Sequence, residues 1–323
     1  MIKMPFKTAL KLTAVAALVA VPLGADAHRA WLLPSATVLS GSDNWVTIDA
    51  AVSNDLFYFE HMPFRIAGFP QIRINRGGQQ GGGQMAGAAP MGGAPAGGAP
   101  MGGGDPTPPG GAPSAAQLAI VGPDGGAVEA QNKAIGRYRS TFDVQLEKPG
   151  TYRIATTNAG LFASWKENGQ TKRWRGSLEN LAKEVPEKAD DLRVTQSQGR
   201  IEVFVTSGKP TTDALKPTGQ GLELDPITHP NDLFVGEAAK FRLVFDGKPA
   251  RKLKVTVIPS GIRYRQNLQE MTLETDEQGE FSVKWAEPGM YWINASIQDE
   301  EGPGGRTPRR RANYAATLEV LSQ

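Results

Sequence analysis

The sequence predicts an all-β chain, built as two antiparallel β-sandwiches behind an export signal. Three observations carry this. Apolar and polar residues alternate over short runs instead of recurring at helical spacing, Gly, Pro, Asp and Asn separate those runs, and one strand–turn–strand pattern occurs twice.

Taken in chain order, Lys3, Lys7 and Lys11 precede or open an apolar run from Leu12 to Leu23, which ends at Ala25-Asp26-Ala27. Residues 1–27 therefore read as a secretory signal peptide, cut to leave His28 as the mature N-terminus in the periplasm or beyond the cell. No later stretch approaches the roughly 20 apolar residues of a membrane helix, so the mature chain is not expected to span a membrane. Residues 28–208 form the first predicted sandwich, with alternating strands at Trp45–Val52, Leu118–Val121 and Arg200–Val205. A segment almost entirely of Gly, Ala, Pro, Gln and Met over residues 77–113 interrupts it; such a composition buries too little apolar surface to offset its ordering entropy, and predicts a disordered insert. One helix is expected from Ser177, a capping residue, to Val185, before Pro186. Residues 209–221, rich in Thr, Pro, Gly and Lys, read as a linker, and residues 222–323 as the second sandwich. The repeated pattern is Phe142–Ile154 and Phe281–Ile293, each a strand, a Pro-Gly turn and a second strand, expected as an edge hairpin in each unit. About seven strands in about a hundred residues match an immunoglobulin-like sandwich.

Composition excludes several functions. Loss of the signal removes three lysines and Asp26, taking the formal charge from +2 to zero, which argues against nucleic acid as a partner. The dense basic cluster Arg306, Arg309, Arg310 and Arg311 reads as a solvated loop flanking the last strand, with Asp299, Glu300 and Glu301 as counter-charges, and an anionic surface ligand as the alternative. Cysteine is absent, so disulfides, thiolate metal sites and cysteine nucleophiles are excluded. No Gly-x-Ser-x-Gly elbow occurs and no carboxylate pair stands out, so the chain is not expected to be an enzyme; a histidine-brace oxidase is the one enzyme class left open.

Three histidines enumerate any imidazole site. His28, as a processed N-terminus, offers an α-amine and an imidazole nitrogen on one residue, which chelate a metal in a six-membered ring; such nitrogen-rich sites favour copper and nickel. His61 is the expected second ligand, with Glu60, and Asp55 or Met62, as additions. His229, between Thr228 and Pro230, reads as a turn residue bonded to neighbouring backbone. Met85, Met91 and Met101 are irregularly spaced for a thioether copper site and read as compositional. The tryptophans read as packing, although Trp165, Lys166, Arg173, Trp174 and Arg175 interleave aromatics with positive charge that could face an anionic glycan or partner.

With His28-x-x-Trp31-Leu32, Leu224-Asp225-Pro226-Ile227-Thr228-His229-Pro230, Phe245–Pro249 and the Thr-Asp-x-x-Gly and Pro-Gly-x-Tyr elements, the chain resembles the bacterial DUF4198 family, and in part Cna-B-like sandwiches. DUF4198 proteins are often labelled the periplasmic component of cobalt or nickel uptake, of the NikM/CbiK type. The resemblance implies a periplasmic protein that binds nickel or cobalt, with copper also suited to the ligands, and hands it to a metal-uptake membrane transporter. The alternative reading is a non-catalytic cell-envelope interaction or adhesion module without a metal site.

Overall fold

In the computed structural model, which describes residues 28–72, 115–298 and 308–323, the alternating runs are strands. In chain order these are β1 (Arg29–Pro34), β2 (Val38–Leu39), β3 (Trp45–Ser53), β4 (Met62–Pro63), β5 (Gln117–Val121), β6 (Gln131–Ile135), β7 (Ser140–Gln145), β8 (Gly150–Glu167) and β9 (Gln170–Gly176). After helix α1 (Leu178–Glu184) come β10 (Asp190–Ser207), β11 (Leu222–Pro226), β12 (Ala238–Phe245), β13 (Lys248–Pro249), β14 (Lys254–Pro259), β15 (Met271–Glu274), β16 (Glu280–Lys284), β17 (Gly289–Gln298) and β18 (Arg309–Val320). The all-β expectation holds. So does the expected helix, whose Ser177 Oγ accepts from the Asn180 amide at 3.3 Å. The insert at 77–113 and the signal at 1–27 lie outside the described residues.

Three sheets stack in layers. The first runs β1-β3-β7-β6 with β4 along β3, the large one β15-β14-β17-β18-β10-β8-β5 with β2 and β9 added, and the third β11-β12-β13 with β16 on β12. Side chains alternate across the large sheet, so it lines both cores. Tyr152, Ile154, Ile201 and Val203 on one face pack against Trp31, Ile48 and Phe142 of the first sheet. Phe204, Ile293, Tyr314 and Ala316 on the other face pack against Leu224, Phe241 and Phe281 of the third.

The two sandwiches thus share their middle layer. The joint is the parallel pairing of β10 with β18, in register from Thr195↔Arg309 to Val203↔Thr317. Each half also lends residues to the other's core, Ile258 and Trp292 to the first and Phe204 and Leu215 to the second. Residues 209–221 are tied into this joint: Ala214 and Leu215 are buried in a short 3-10 turn, and Glu223 accepts from the amides of Thr218, Gly219 and Gln220 at 3.0, 2.7 and 3.1 Å. Arg200 bridges Glu223 and Glu202 at 3.2 and 3.0 Å, and buried Tyr314 donates to Glu202 at 2.9 Å. Burial and the Glu202 charge hold the Tyr314 phenol well above its ordinary pKa, so it stays a donor.

Two expectations need correction. The repeated strand–turn–strand units are not hairpins: β7 pairs in the first sheet while β8 pairs in the large one, and β16 and β17 divide in the same way between the third and large sheets. The Pro-Gly turn carries the chain between layers, and a tyrosine locks each crossing. Tyr152 Oη donates to the Lys148 carbonyl at 2.8 Å and accepts from its amide at 2.8 Å; Tyr291 does the same with Glu287 at 2.8 and 3.3 Å. The second correction concerns Arg309, Arg310 and Arg311, which open β18 itself and are not loop residues. Backbone pairing to β10 holds them in the strand, from which Arg311 reaches water while Arg310 pairs with Asp246.

Candidate functional site

The predicted ligands converge at the end of β3. Antiparallel pairing of Arg29 with Ser53 sets His28 beside Asn54 along one edge of this strand. On its other edge Met62 pairs with Val52, which brings His61 to the same end. The two imidazole rings stack, with centroids 3.9 Å apart and planes 25° from parallel. Both histidines are exposed. The Nδ1–H of His28 donates to Oδ1 of Asn54 at 2.8 Å.

The connecting loop is fixed from three sides. Beneath it lies Trp31, fully buried, which donates to Ser53 Oγ at 2.8 Å and meets the rings of Phe57 and Phe59 at 5.5 Å each. This explains the opening motif: Trp31 and Leu32 are core residues that anchor the strand on which His28 rides. Across the base, Glu60 Oε1 accepts from the amides of Asn54 and Asp55 at 3.1 and 3.0 Å. From the second half of the chain, Arg263 pairs with Asp55 at 3.6 Å and lies over the Tyr58 ring at 3.4 Å. Phe57, at φ +62°, takes a left-handed conformation that bulky residues adopt only where surroundings impose it.

Each named residue therefore has a place. His28 and His61 come together. Glu60 sits beside them with one oxygen committed to the backbone, Asp55 turns to Arg263, and Met62 is in β4 and exposed. Among the described residues no group of three or more His, Asp and Glu side chains is arranged to hold a metal, so the nitrogen donors at this spot are two imidazoles and whatever amine His28 carries. Asn54 and Arg263 were not legible, because only strand register and the packing of the two halves bring them here.

His229 stands apart from this cluster. Its Nδ1 accepts from the Asn231 amide at 3.1 Å, and Nε2 lies 3.1 Å from the Thr211 carbonyl and 3.0 Å from Thr151 Oγ1. Both ring nitrogens are thus occupied, as expected of a turn residue. Burial depresses its pKa, partly offset by the Thr211 carbonyl. Trp165 and Trp174 pack under α1 with Leu161, Leu181 and Val194, as packing residues. Met85, Met91 and Met101 lie outside the described residues.

Comparison with known proteins adds a family. The profile described as "Domain of unknown function (DUF4198)" matches residues 96–299, well over half of the chain. No curated protein matches. The matched span contains His229 but neither His28 nor His61.

Proposed function

Since the chain belongs to the DUF4198 family, whose description assigns no activity, we propose its function from the site: an exported protein that binds a divalent transition metal through His28 and His61. The observation that carries this reading is the 3.9 Å approach of two imidazoles contributed by opposite edges of one strand. Signal cleavage after Ala27 adds the α-amine of His28, completing three nitrogen donors on two residues. That donor set suits copper and nickel above cobalt or zinc. Nickel or cobalt is the cargo implied by the resemblance, with delivery to a membrane uptake system as the consequence.

What the chain's residues do follows from their geometry. Trp31 and Arg263 hold the loop, Glu60 braces its base through two amides, and Asn54 orients the His28 ring through Nδ1. Chelation through Nδ1 breaks the His28–Asn54 hydrogen bond, so Asn54 competes with the metal for that nitrogen and the stacked ring turns to bind. The α-amine, with an ordinary pKa of about 7.7–8.0, must shed its proton, so affinity rises with pH through that range. Binding and release, without turnover, is the expected activity.

Calorimetric titration with Cu(II), Ni(II) and Co(II) tests this on three proteins: the chain beginning at His28, the same chain with one extra N-terminal residue, and His61→Ala. The expected result is tight binding by the first, weakened by at least about tenfold in each of the others. Equal affinity in all three, or none in the first, overturns the proposal and leaves the interaction-module reading.

A further inference from the structure

Strands β8 and β10 run for 18 residues each, and their far ends leave the sandwiches as an arm completed by β9 and the start of β18. Helix α1 covers one face of this arm. The other face carries Phe162, Arg173, Arg175, Arg193, Arg309 and Arg311. Register fixes this: Phe162 pairs with Thr195 and Arg175, Thr195 with Arg309, and Ser164 with Arg173 and Arg193, while Leu161, Ala163 and Val194 turn towards the helix. Arg175 lies over the Phe162 ring at 5.0 Å, confirming the shared face. Two basic clusters far apart in the sequence are thereby merged.

Among the described residues, none of Arg173, Arg193, Arg309 and Arg311 has a carboxylate within ion-pair distance. The acids on this face, Asp190 and Asp191, gather at its tip around Lys166, which pairs with Asp191 at 2.7 Å. Among the described residues the positive charge of this face is thus gathered away from its acids, apart from Arg193, whose charge reaches Asp191. Four strands about 4.8 Å apart and some six residues of strand length give an area of about 15 by 20 Å. Guanidinium forks match phosphate oxygens, and an aromatic ring in their midst suits the boundary between headgroups and acyl chains.

We propose that this face docks on an anionic phospholipid surface, with the arginines on headgroup phosphates and Phe162 at the boundary. A two-dimensional array fits a plane of headgroups better than a single linear polyanion, which would need a track. The inference is independent of the metal reading.

Sedimentation of the chain beginning at His28 with phosphatidylcholine vesicles, with and without phosphatidylglycerol, tests it at low and high salt. Expected are binding to the anionic vesicles alone, loss at high salt, and about a hundredfold weaker partitioning for R173Q/R193Q/R311Q. Should the triple variant fail to fold, R173Q and R311Q singly should each weaken binding by about fivefold. No binding to anionic vesicles, variants that bind as the parent does, or retention only on a soluble acidic polysaccharide would overturn it.

Discussion

At the scale of residues, His229 makes a prediction of definite sign. Burial lowers its folded pKa below the ordinary 6.5, with the Thr211 carbonyl and then the Asp232 charge acting against that shift and Thr151 and Asn231 as further, uncharged contacts. A histidine depressed in the folded state contributes fully above about 6.5, and loses its contribution as pH falls through the folded value. Chemical denaturation from pH 7 to pH 5 should therefore weaken the parent protein more steeply than His229→Gln; parallel slopes would show that His229 titrates alike folded and unfolded. The turn role of this residue was legible from Thr228 and Pro230 on either side. His28 could be singled out too, because a signal-like pattern before it is local in sequence. Its partner Asn54, 26 residues away, could not.

The two sheet crossings set a test between elements. Both turns place glycine at strongly positive φ, Gly150 at +130° and Gly289 at +133°, where any Cβ strains the backbone. Only Gly150 is also crowded: an added Cβ would sit 2.4 Å from Pro123 Cβ, against 3.6 Å from Ser260 Oγ at Gly289. Gly150→Ala should cost more than Gly289→Ala, by about 1 kcal/mol or more, in urea denaturation. Tyr152→Phe and Tyr291→Phe should each cost about 1–2 kcal/mol, since each deletes a hydroxyl bonded twice to its corner. If neither tyrosine matters, the corners are held by burial alone. The sequence displayed the repeat plainly, because Pro-Gly-x-Tyr is a local pattern. That its strands part into different sheets depends on partners elsewhere in the chain.

For the whole molecule, the shared sheet predicts one unfolding transition. Separating the halves would break the β10–β18 ladder and expose Ile258, Trp292, Phe204 and Leu215, each worth about 1.5–3 kcal/mol of burial. Calorimetry should give a van't Hoff enthalpy equal to the measured one, and residues 222–323 alone should not fold stably. Two separable transitions would show independent domains. The sequence by itself determined the strands, the helix, the turns and the repeat, because period, capping and φ preference act within a few residues. Tertiary structure alone decided which strand lies beside which. From that follow the common sheet, the approach of His28 to His61, and the merged arginine face. Period-two alternation tells which residues share a face of one strand, but only long-range pairing, driven by burial on both sides of the middle sheet, tells which strands share a face.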